Sequence, residues 1–128
     1  MGDLGLILVD TSVWVDRLHR PDATLDMHIR KRTAMMHPMA LGELACGMFS
    51  DRDRRFRTWR SLPRAPVHDH DEVIDWIESE RLMGRGIGFV DAHLLYAALR
   101  MPGTRLWTRD KRLEDLARRF GVVHLRDD

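Results

Sequence analysis

Residues Leu4–Val9 form a short, almost wholly apolar run that stops at an acid, Asp10. Six residues cannot cross a bilayer, which takes roughly 20. The run also lacks the apolar–polar alternation of a strand with one wet face. It reads as a strand buried on both faces, the kind found in parallel sheets. That constrains the rest of the chain, because parallel neighbours need long crossovers, usually helices, to cover the sheet.

The remaining sequence supplies those crossovers. Thr11–Leu18 reads as a helix, with Trp14 and Leu18 four apart, and a second helix is expected over Thr24–Lys31. Ala34–Met36 is a short strand, and Pro38 suits the first turn of a new helix. Leu41, Leu44, Ala45 and Met48 then give one apolar stripe at i, i+3, i+4, i+7. Phe56, Trp59 and Leu62 mark another helical face before Pro63. Ala65–Val67 is a candidate strand, and Asp71–Met83 a helix with Val73, Ile74 and Ile77 inward. Gly84, Gly86 and Gly88 mark a turn-rich loop. Val90–Arg100 is apolar on most sides except at Asp91 and His93, so it predicts a largely buried helix. Pro102-Gly103 is a turn and Leu106–Thr108 a strand. Asp110–Phe120 is a helix with Leu113, Leu116, Ala117 and Phe120 on one stripe and Gly121 placed as its C′ residue. Val122–Leu125 closes as a final strand. Strands alternating with helices across 128 residues predict one α/β domain over residues 1–128, a three-layer α/β/α sandwich around a central parallel sheet.

Certain acids fall at telling places in this scheme. Asp10 ends the first strand. Asp110 follows the strand Leu106–Thr108 and opens the next helix. Asp91 starts a buried helix, where a carboxylate also suits the helix dipole. Glu43 lies in the first turn or two of its helix, beside the apolar stripe. Ligands of open α/β sheets bind outside the carboxyl ends of the strands. Asp10 and Asp110 therefore share that edge, and Glu43 and Asp91 are within reach of it. Each acid also has a plainer reading: Asp10 and Asp110 can simply cap the helices that follow, and most helical glutamates are solvated. Asp91 is the hardest to explain away, since acids are seldom fully buried unless paired.

Four carboxylates in one cleft repel each other, and a divalent cation removes the conflict. Oxygen-only ligands favour Mg²⁺, with Mn²⁺ as a substitute, over zinc. Such an ion leaves positions for water and phosphate oxygens, so the expected chemistry is phosphodiester hydrolysis by metal-activated water.

Bulk properties exclude other classes. Hydrophobic residues at 44% and charged residues at 32% describe a globular chain, not a disordered one. No apolar run is long enough to span a membrane, and the N-terminus does not read as a signal peptide. Cys46 is the sole cysteine, so no intrachain disulfide forms and a cytoplasmic location is expected. The net charge of +1 says nothing of nucleic acid by itself. Six arginines between Arg52 and Arg64, with Asp53 the one acid among them, say more. Such a strip can mark a phosphate-binding face, and a solvated helix face explains it equally well.

Four stretches together resemble the PIN-domain ribonucleases, and within them the VapC-type toxins of toxin–antitoxin pairs. They are Leu8-Val9-Asp10-Thr11-Ser12-Val13-Trp14; His37-Pro38 leading to Gly42-Glu43-Leu44-Ala45-Cys46-Gly47; Gly84-Arg85-Gly86-Ile87-Gly88 with Val90-Asp91-Ala92-His93-Leu94-Leu95; and Leu106-Trp107-Thr108-Arg109-Asp110-Lys111-Arg112-Leu113. The resemblance implies a metal-dependent endoribonuclease whose catalytic and metal-binding acids are Asp10, Glu43, Asp91 and Asp110. Thr11, Ser12 and Thr108 match small hydroxyl positions beside the first and last acids. His93, two residues from Asp91, can contact substrate or support a carboxylate, and is read first as a satisfied histidine on a partly buried helix. The family also implies an RNA substrate, a homodimer and a cognate VapB-type antitoxin, whose C-terminal segment typically lies against the acidic site.

Other features read as structural. His68-Asp69-His70-Asp71 looks like a metal cluster but has no further ligand at zinc spacing, and is read as a strand end entering a capped helix. Cys46 is read as packing, and Trp14, Trp59 and Trp76 as core or dimer contacts. Lys111 and Arg112 suit phosphate contact or plain solvation. Two other functions compete. A non-catalytic PIN-like module would bind RNA or a protein without cutting. A phosphotransfer domain is disfavoured, because Ser12 stands where the haloacid-dehalogenase pattern wants a second aspartate.

Overall fold

A computed structural model describes residues 5–125. Leu4, the expected start of the first strand, lies outside them. The elements run β1 (Ile7–Val9), α1 (Thr11–His19), α2 (Ala23–Arg30), β2 (Ala34–Met35), α3 (Pro38–Ala45), α4 (Arg52–Ser61), α5 (His70–Glu80), α6 (Phe89–Arg100), β3 (Arg105–Trp107) and α7 (Lys111–Arg119).

The sheet is parallel, in the order β2-β1-β3. Ile7, Leu8 and Val9 pair with Arg105, Leu106 and Trp107 on one side, and Ile7 and Leu8 with Ala34 and Met35 on the other. Every β1 residue is buried, as expected of a central strand covered on both faces. Helix α2 packs on β2, while α6 and α7 pack on β3. The two outer strands expected from the sequence are reduced to single parallel bridges, Met36 to Arg64 and Leu106 to Val123. Ala65–Val67 leaves the sheet at once, and Pro63 and Pro66, with no N–H to give, bracket the point of departure.

Helix limits follow local chemistry. Asp10, Asp22, Asp69 and Asp110 each accept backbone N–H groups at a helix start. His37 does the same through Nδ1, with Pro38 just inside the helix. Helix α3 ends sooner than its stripe suggested: Cys46 is exposed, and Met48 lies beyond the helix at 99% exposure. Ile74 is likewise exposed rather than inward. Trp14 and Trp59 are buried in the main core beside Leu8, Leu25, Leu106 and Leu113. The Gly84–Gly88 loop needs its glycines where the chain turns left-handed. At Gly86, φ is 82° and a Cβ would meet Arg112 Cδ at 2.4 Å.

Candidate active site

The acids converge where β1 and β3 end. Asp10 is 4% exposed, and its backbone N–H donates to the Trp107 carbonyl, so strand pairing itself sets its position. Its Oδ2 takes the Ser12 hydroxyl at 2.6 Å, the Thr108 hydroxyl at 2.8 Å and, more weakly, the Ser12 N–H at 3.4 Å. Both hydroxyl hydrogens are thereby used. The 3.2 Å approach of Ser12 Oγ to Thr108 Oγ1 is therefore contact rather than a bond. The same oxygens accept in turn: Ser12 Oγ from the Arg109 N–H, and Thr108 Oγ1 from the Asp110 N–H. Two hydroxyls thus tie the β1 end to the β3 end.

The other three acids are each fixed by one oxygen. Asp91 is half-buried, not fully buried, and its Oδ2 accepts the Gly88 N–H at 3.0 Å across the first turn of α6. Asp110 is exposed, and its Oδ1 caps α7 through the N–H groups of Arg112 and Leu113. Glu43 is exposed on α3, and its Oε1 takes the Thr11 hydroxyl at 2.8 Å. In all four the second oxygen receives no hydrogen bond among the described residues, and none of the four forms an ion pair there. The capping role of Asp10 and Asp110 and their place in the cleft are one geometry: the cap holds one oxygen and turns out the other.

The acids also share a field. Burial pushes the Asp91 carboxyl above its ordinary value; the Gly88 N–H opposes this, and the charges of Asp10, Asp110 and Glu43 add to it. A carboxylate pushed up by three neighbouring acids, in a set that among the described residues finds no arginine or lysine, suits a divalent cation. Among the described residues no group of three or more acidic, histidine or cysteine side chains is already arranged to hold a metal. The donor set still fits Mg²⁺, which keeps several waters and needs only one or two carboxylates.

Histidines form the wall behind the cleft. His93 is fully buried, and its Nε2 lies 2.9 Å from His70 Nδ1, while its Nδ1 finds no partner among the described residues. His37, also fully buried, stands 6.2 Å from the His93 ring, edge to face. Asp69 organises the His68–Asp71 segment, capping α5 through the N–H groups of Asp71 and Glu72. Two residues escaped the sequence reading. His37 is a buried cap, signalled only by the proline after it. Arg109, between Thr108 and Asp110, donates to Asp16 at 3.3 Å and Asp22 at 3.1 Å and so locks α1 and α2 to the β3 end. Its signal was its position between two site residues. Lys111 and Arg112 are exposed, and the Arg112 side chain covers Gly86.

Comparison with known proteins shows the family and the fold. The family model described as PIN domain matches residues 7–119, and so includes all four acids. Ribonuclease VapC32 of Mycobacterium tuberculosis, from strain CDC 1551 / Oshkosh and again from strain H37Rv, is 44% identical over 118 residues, covering 92% of this chain and 95% of the relative. A solved structure, PAE2754 from Pyrobaculum aerophilum, superposes with a TM-score of 0.59 at 22% identity, over 94% of this chain and 98% of that one, a likeness in fold.

Proposed function

The chain belongs to the PIN-domain family, among its VapC-type ribonucleases, and from that premise we propose that it is a Mg²⁺-dependent endoribonuclease, the toxin of a toxin–antitoxin pair. The observation that carries the metal-dependent part is the set of four carboxylates, each with one oxygen anchored and one open, none paired with a cation among the described residues.

The open oxygens of Asp10 and Asp91 would hold the ion, with Asp110 and Glu43 completing the acidic rim. When bound, the ion supplies charge neutralisation, Lewis-acid polarisation of the phosphate and acidification of water. The chain's own residues do the rest. Ser12 and Thr108 fix the Asp10 carboxylate so that it does not reorganise during the reaction. Glu43 is exposed and held only through Thr11, so its open Oε2 is placed to take a proton from the attacking water. The water oxygen forms a bond to phosphorus, a ribose oxygen leaves, and the leaving oxygen is protonated from solvent. His93 touches none of these atoms in this scheme; it packs α6 against α5 through His70.

This reading brings with it a cognate VapB-type antitoxin, a homodimer and a cytoplasmic location. Among the described residues no helix is long and apolar enough to cross a membrane. The test is cleavage of RNA with and without Mg²⁺. Asp10→Asn and Asp91→Asn should each lower the rate by roughly a thousandfold or more while circular dichroism stays unchanged. Cleavage at the parent rate by either variant overturns the proposed site. Calorimetry with Mn²⁺ separates the nuclease from a non-catalytic PIN-like module, which has no need to bind metal.

A further inference from the structure

The acidic cleft uses none of the arginines concentrated between Arg52 and Arg64. The fold gathers some of them in a second groove. Helices α1, α2 and α4 enclose about 270 Å³ lined by Arg17, Arg30, Arg54 and Arg55, above Trp14 and Trp59, with Asp26 among the lining residues. Arg17 is neutralised, because its Nε and Nη2 donate to Asp26 at 3.0 and 3.2 Å. Arg54 pairs with Asp51 at 2.6 Å. Arg55 turns its Nε to the uncharged Ser50 carbonyl at 3.1 Å, and Arg30 has no hydrogen-bond or ion-pair partner among the described residues. Two of the four guanidinium groups, those of Arg30 and Arg55, are therefore without an anionic partner among the described residues.

We propose that this groove holds the sugar–phosphate backbone of single-stranded RNA as it runs away from the acidic cleft. The proposal rests on RNA being the substrate. Planar guanidinium forks match phosphate oxygens. Trp14 and Trp59 are 1% and 5% exposed, so neither offers a face for base stacking, and the groove reads backbone rather than sequence. Position also fits. Thr11 and Ser12 begin α1 in the cleft, and Arg17 lies on the same helix, about 9 Å further along at 1.5 Å per residue. Beside the same helix a second groove is lined by Thr11, Leu18, Glu43 and the segment up to Ser50, which is where Arg55 is anchored. An acidic protein segment shares the charge but not this continuity with a phosphodiester-cutting cleft.

The test measures binding of a short fluorescein-labelled single-stranded RNA to the full chain in EDTA, so cleavage plays no part. Arg30→Gln combined with Arg55→Gln should weaken binding roughly tenfold at low salt. It should also reduce the slope of log affinity against log salt by about 1.4, at about 0.7 per phosphate contact on a single strand. Arg57→Gln combined with Arg60→Gln removes the same charge from α4 outside the groove, and should change the slope by less than half as much. An unchanged slope in the first pair, or an equal change in both pairs, overturns the proposal. So does a groove-dependent affinity for poly-glutamate where RNA shows none, which would assign the surface to a protein partner. If the first pair loses its cooperative melt, Arg30→Gln alone, at an exposed position, should still lower the slope by about 0.7. If the parent binds RNA through the groove but never cuts it with Mg²⁺, the nuclease reading fails and the groove stands. If it cuts while the groove variants bind unchanged, the reverse holds.

Discussion

Asp91 and His93 sit two residues apart on α6, about 200° round the helix axis, and face two polar regions built on opposite rules. On one side the acids have one oxygen fixed and one open, and burial with mutual repulsion pushes Asp91 towards protonation. On the other side His37, His68, His70 and His93 meet edge to face with Phe89 and Tyr96, and Tyr96 is tied by its hydroxyl to Glu72. Here burial pushes the other way: it drives His37 down to about 4, assisted by His93 and His68, and it lowers His93 as well. The same loss of hydration opposes charge in both places. His37 and His93 yield to it and stay neutral. At Asp91 the Gly88 N–H opposes that loss and favours the charged form, so the repulsion that remains suits the divalent cation proposed for the cleft, while the histidine wall calls for none.

The sharpest way to break this contrast is to lower the pH without metal. The Met39 N–H donates to His37 Nδ1 at 3.0 Å, so that nitrogen must keep its lone pair and protonation would break the α3 cap. The folded value, about 4, lies below the ordinary 6.5. The unfolded chain therefore takes up the proton first. The contribution is complete above about 6.5 and is lost as pH falls from there towards 4. At the lower limit the loss from His37 alone is about 3 kcal/mol. His37→Asn keeps an oxygen to cap the helix and removes the titration. Denaturant melts across that range should be flatter for the variant by about that amount. An unchanged pH dependence would mean that the wall is not built around neutral His37.

A smaller effect is expected where the two hydroxyls hold Asp10. Thr108→Val keeps the shape but deletes a donor to Asp10 Oδ2 and an acceptor for the Asp110 N–H. Stability should fall by about 1–2 kcal/mol, and RNA cleavage should fall by roughly tenfold, as expected when a metal-binding carboxylate loses a supporting partner. A variant with full activity would show that Asp10 needs no second anchor.

The cleft was more legible in the sequence than the wall. Asp10 and Asp110 could be placed from short apolar runs that end in acids, because a parallel strand fixes which end its ligands meet. Asp91 could be flagged because an acid breaks an apolar helix, although the cleft leaves it half-buried and Asp10 takes the deepest place. Glu43 needed the family resemblance: it is an exposed helical glutamate until Thr11, on another helix, marks it. His37, His68, His70 and His93 come from three segments joined only by packing, and a histidine has no periodic signature. The same reason hides the basic groove, since Arg30 and Arg55 lie on different helices. The outer strands failed because single bridges carry too little pairing to show as strands, though their apolar residues still cover the sheet.

Asp91→Asn tests the contrast at its finest scale. The amide oxygen can still accept the Gly88 N–H, so the cap at the start of α6 survives while the charge disappears. Without metal at neutral pH the variant should be more stable than the parent, by about 1 kcal/mol or less, because a carboxylate facing three others is relieved. Adding Mg²⁺ should reverse the order. The parent gains stability by mass action as the ion binds the folded state, and the variant, with one ligand fewer, gains less. A crossing of the two melting curves as Mg²⁺ rises would place the cost and the use of Asp91 in the same carboxylate. A variant less stable than the parent at every Mg²⁺ concentration would mean that Asp91 is a structural cap and that the repulsion in the cleft is already compensated within the protein.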